Sequence, residues 1–132
     1  MEEAVAVDAT TDILADPDID LVIAEGTREA ESALVVRRQA GTTLVINDLI
    51  SNVRHPQGLG ANIMARLFGF GVKHPQMARE VKWLLVKDKP ALAAQLRRWA
   101  EDEELERIIV SHGDIIDQAA AEVLRTVASS LD

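Results

Sequence analysis

The chain has 132 residues, 48% of them hydrophobic and 27% charged, with a formal net charge of −8 and no cysteine. That length gives a single domain, residues 1–132, with enough interior for a core, and the hydrophobic fraction excludes a disordered chain. Without cysteine there is no disulfide framework, thiolate zinc site or Cys nucleophile, and the acid excess argues against nucleic acid, whose phosphates need clustered cations.

In chain order, residues 1–50 read mainly as strands. Ala4-Val5-Ala6-Val7, Leu21-Val22-Ile23, Ala33-Leu34-Val35-Val36 and Thr43-Leu44-Val45-Ile46 are short apolar runs rich in β-branched residues. Turn formers separate them at Asp16-Pro17-Asp18, Glu25-Gly26-Thr27 and Gln39-Ala40-Gly41. The last two runs read as a hairpin around Gly41, with Arg37 and Arg38 on opposite faces of the sheet.

Residues 58–104 read as helices. In Leu59–Phe68 the residues Leu59, Ile63, Met64, Leu67 and Phe68 share one helical stripe, and glycines 58, 60, 69 and 71 flank or enter the segment. A mobile apolar lid or a dimer contact would have this composition, but core packing is the favoured reading. Pro75 suits the first turn of a helix over Gln76–Val86 with Trp83 and Leu84 on its apolar face. Asp88 is placed to cap a helix over Lys89–Glu101, where Leu92, Leu96 and Trp99 recur at helical spacing. Residues 106–130 read as a buried strand around Ile108-Ile109-Val110, followed by a helix capped by Asp114 that turns Ile116, Ala120, Val123, Leu124 and Val127 inward. The whole is an α/β protein. No apolar run nears the roughly 20 residues of a membrane span, and the N-terminus is acidic where a signal peptide is basic, so a cytoplasmic protein with no membrane partner is expected.

Charge is segregated along the chain. Residues 1–31 carry Glu2, Glu3, Asp8, Asp12, Asp16, Asp18, Asp20, Glu25, Glu29 and Glu31 against the single base Arg28, whereas residues 49–98 are basic with only Glu80 and Asp88 as acids. The two blocks either complement each other on folding, the favoured reading, or leave a basic face for an acidic ligand.

Two polar residues stand where buried strands end. Asp48 follows Thr42-Thr43-Leu44-Val45-Ile46-Asn47, and a carboxylate there must be solvated, hydrogen-bonded or metal-bound; a loop or helix-capping Asp is the alternative. His112, in Ile108-Ile109-Val110-Ser111-His112-Gly113-Asp114, stands at the carboxyl edge of the sheet, where open α/β sheets place their ligands. It is either a metal ligand or a core histidine with satisfied hydrogen bonds. His55 and His74 each precede a proline and belong to loops or to the approach to a helix.

The segments Gly26-Thr27, Thr42-Thr43-Leu44-Val45-Ile46-Asn47-Asp48-Leu49-Ile50-Ser51-Asn52 and Ile108–Asp114 together resemble the C-terminal half of a metallo-β-lactamase-fold hydrolase. The resemblance spans roughly residues 20–130. It implies half of an αββα sandwich, one mixed sheet with helices packed on it, and a metal centre of zinc or iron to which Asp48 contributes the bridging carboxylate and His112 the last imidazole. The family's His-x-His-x-Asp-His motif, which belongs to the N-terminal half, is absent, and no histidine stands beside Gly26-Thr27. The implied protein is therefore a metal-dependent hydrolase, acting on a small molecule of unassigned class, only when a missing or partner half completes it. The alternative is a non-catalytic α/β module that associates with itself, as a homo-oligomer, or with a complementing chain.

Overall fold

A computed structural model describes residues 15–132 of the chain. The expected strand at Ala4–Val7 lies outside the described residues. Strands β1 (Ile19–Ile23), β2 (Ser32–Arg38) and β3 (Gly41–Ile46) are followed by helices α1 (Leu59–Phe68), α2 (Arg79–Leu84) and α3 (Lys89–Ala100), then by β4 (Leu105–Val110) and α4 (Ala120–Ser129). The strands form one mixed sheet in the order β1-β2-β3-β4. β1, β2 and β3 pair antiparallel, and β4 joins β3 in parallel after the three helices have crossed over. The α/β class read from the sequence holds.

Alternation along the strands fixes the two faces of the sheet. Ala33, Val35, Leu44, Ile46, Ile108 and Val110 point one way and are buried. Leu92, Leu96, Leu124 and Val127, from α3 and α4, belong to the same core. Among the described residues, helices cover this face only. On the other, the register aligns Leu21, Leu34, Val45 and Ile109 in one row across all four strands. These four are half-buried, and Leu21, Leu34 and Val45 line a shallow depression of about 390 Å³.

Helix α3 forms as its sequence dictates. The Asp88 side chain accepts the Ala91 N–H at 3.0 Å, Pro90 occupies the first turn, and Leu92, Ala93 and Leu96 are buried. The β2–β3 hairpin closes at Gly41 as expected, and Arg37 and Arg38 separate to pair with Asp20 at 2.6 Å and Asp18 at 2.8 Å. Of the acids at the N-terminal end, Glu25 reaches into the basic block, pairing with Arg98.

Three expectations are corrected. Helix α1 has the expected bounds and ends on Gly69 in the left-handed conformation, but its apolar stripe faces out. Leu59 is 80% exposed, Ile63 57% and Leu67 59%, while Ala65 alone is buried. The small side of the helix lies on the body, since an amphipathic pattern specifies an apolar face and not what meets it. Helix α2 is a six-residue segment beginning at Arg79 rather than at Gln76, and Trp83 is 81% exposed. Pro75 precedes it in a loop whose neighbour Gln76 bridges instead to Ser51. The last helix begins at Ala120, not Asp114. Ile116, which has helical spacing to Ala120, turns back and exchanges both backbone hydrogen bonds with Ile108, at 2.8 and 2.9 Å, extending the sheet edge.

Candidate functional site

The parallel pairing of β3 with β4 brings the two sequence candidates together. The register ends at Ile46 opposite Val110, so the chains leave the sheet side by side as Asn47-Asp48 and Ser111-His112. Each step makes one side-chain contact. Ser111 Oγ donates to Asn47 Oδ1 at 2.6 Å, and His112 Nε2 stands 2.8 Å from Asp48 Oδ1. The His112 side chain is 57% exposed and that of Asp48 34%, so the pair sits at the surface, open to solvent and ligand. Asp48 is thus hydrogen-bonded at a strand tip rather than capping a helix, and His112 is not a core histidine.

Glu31 stands behind Asp48, buried, with Oε2 accepting the Asp48 N–H at 3.2 Å. Burial pushes its carboxyl above the ordinary 4.5; the Asp48 N–H opposes that rise and the Asp48 carboxylate adds to it. A carboxyl whose pKa is raised on folding binds more protons in the folded chain than in the unfolded one. From 4.5 upward the folded state is therefore progressively destabilised by this group as pH rises. Glu31→Gln, which keeps an oxygen for the Asp48 N–H, is expected to raise the melting temperature at pH 7–8, with the gain vanishing below pH 4.5; thermal melts of both proteins across that range check it.

The loops carrying the pair are tied by Asn52, which is 2% exposed. Its N–H donates to His112 O at 2.9 Å, its carbonyl accepts the Asp114 N–H at 3.0 Å, and its Nδ2 donates to Asp114 O at 2.9 Å. The two loops thus continue the parallel ladder beyond the strands through Asn52 and Gly113. Gly113 has φ +113°, and a Cβ on it would lie 2.2 Å from Asn52 O. Only glycine allows this approach.

Oxygen and imidazole donors are the kinds that zinc and iron accept. Their number falls short, because a catalytic zinc takes three protein ligands and an open position. Among the described residues no group of three or more His, Asp or Glu side chains could hold a metal ion, and Glu31 Oε2 is engaged by the Asp48 backbone. His55 and His74 occupy exposed loops, His55 preceding α1 and His74 five residues ahead of Arg79 at the start of α2.

Sequence reasoning passed over Asn47, Ser111, Glu31 and Arg54. The first two precede Asp48 and His112 directly, so the parallel register that pairs the latter also pairs them. No spacing rule joins Glu31 to Asp48 across the sheet. No protein-family model matches the chain, and no curated protein matches it.

Proposed function

We propose that the chain is a metallo-β-lactamase-like half-sandwich that supplies two ligands, Asp48 and His112, to a zinc or iron centre completed by a second half. The observation that carries this reading is the 2.8 Å contact between those two side chains at adjacent strand tips. A four-strand sheet with helices on one face and an apolar row on the other supports it, because a second sheet is what such a face accepts. The completed assembly is a metal-dependent hydrolase; the chain alone lacks the ligands for turnover.

Zinc titrated into the chain is expected to bind weakly through both side chains. The Asp48→Ala/His112→Ala double variant should then lose roughly 10-fold or more in affinity at unchanged stability. Calorimetry measures it, and a double variant that binds zinc like the parent overturns the reading.

The row Leu21, Leu34, Val45, Ile109 favours a second reading, a non-catalytic module that associates through this face. Sedimentation equilibrium separates it. Self-association abolished by Leu34→Asp and indifferent to the Asp48/His112 double variant supports the module, and a monomer at high concentration counts against a homo-oligomer.

A further inference from the structure

On the two loops that follow Asp48 and His112 in the chain, a cavity of about 260 Å³ is lined by Arg54 and His55 on one and by Asp114, Ile115 and Asp117 on the other. Asn52, from the first loop, both borders the cavity and bonds to the backbone on each side of Gly113. The Asn52 amide is oriented by its Nδ2–H bond to Asp114 O, which turns Oδ1 toward Arg54. Oδ1 accepts from Arg54 Nε at 3.2 Å. That bond uses the one nitrogen of the guanidinium outside its terminal fork and leaves the two Nη groups, the pair that grips a carboxylate bidentately. Among the described residues Arg54 closes no ion pair, and neither do Asp114 and Asp117. Opposite charges thus border one small cavity without neutralising each other, an arrangement suited to a ligand that carries both signs.

We propose that this cavity binds a small zwitterion of the amino-acid class, its carboxylate on the Arg54 fork and its ammonium against Asp114 and Asp117. The exposed Ile115 side chain offers contact for an aliphatic substituent. A plain anion is disfavoured because the two carboxylates repel it, and a plain cation because Arg54 does. The proposal rests on the metal-site reading only in making this ligand the substrate of that site.

The test is a heteronuclear NMR titration of the full metal-free chain with L-alanine, against acetate, methylammonium and inorganic phosphate as separate probes. Alanine is expected to shift the Arg54 Nε–H and Asn52 side-chain amide signals saturably. Arg54→Gln, a change at an exposed side chain, should weaken that binding at least roughly tenfold, the loss of one charge-assisted contact. Asp114→Asn/Asp117→Asn should weaken alanine while improving acetate. Acetate or phosphate binding as tightly as alanine overturns the proposal, as does an Arg54→Gln chain that binds alanine like the parent. The Asp48→Ala/His112→Ala chain should bind alanine normally. If it does while zinc fails to bind the parent, the cavity assignment stands and the metal reading falls.

Discussion

Replacing Gly113 with alanine is expected to destabilise the chain by about 2–4 kcal/mol and to separate Asp48 from His112. Two costs combine. At φ +113° an L side chain is strained, and its Cβ would meet Asn52 O at 2.2 Å, a backbone atom that cannot rotate away. The loop must then withdraw from Asn52, giving up the bonds to His112 O and from the Asp114 N–H, and the imidazole withdraws with it. Urea unfolding measures the stability loss, and the nuclear Overhauser contacts of the His112 ring with Asp48 report the separation. Gly60→Ala is the counterpart. Gly60 lies inside α1 with nothing within 4 Å of its added Cβ, and its substitution should stabilise by about 0.5–1 kcal/mol, as alanine does in a helix.

Leu44→Ala is expected to cost about 2–5 kcal/mol, the range for a large-to-small change at a closed core position. Leu44 is 1% exposed and pairs across the sheet with Val35 and Ile108, both buried beneath the helices. Its neighbour Val45 points the other way and is half-buried, so Val45→Ala should cost less than about 1.5 kcal/mol in the chain alone. Urea unfolding of the two variants measures the asymmetry between the faces. Equal costs would mean that the outer face is as well covered as the inner one.

The strands were legible because each is a short β-branched run whose alternate residues share one environment, as in Ala33–Val36 and Thr43–Ile46. Helix α3 was legible because the Asp88 cap and the spacing of Leu92, Leu96 and Trp99 agree with one another. The failures have one physical origin. A periodic apolar pattern reports that a face exists, not what it packs on. Leu59, Ile63 and Leu67 have core spacing and face outward, and Ile116 has helical spacing to Ala120 and yet pairs with Ile108 as sheet. For the site, the strand-then-polar pattern located Asp48 and His112 separately. Their contact depended on β4 lying parallel to β3 in register at Ile46 and Val110, which tertiary packing decides. Glu31, Asn52 and Arg54 come from loops whose positions no local pattern specifies.

The parallel crossover has a kinetic meaning as well. β1, β2 and β3 are joined by short turns and can pair as soon as they exist, whereas Asp48 and His112 are 64 residues apart in the chain. Closing so long a loop costs entropy before any contact repays it, so the hairpins form early and the two strand tips meet late. By microscopic reversibility the Asn52–Gly113 crossing is expected to part before the hairpins do. The Asp48–His112 pair sits at the last-made joint of the fold, where local opening is expected to separate the two side chains while the hairpins beneath them stay closed.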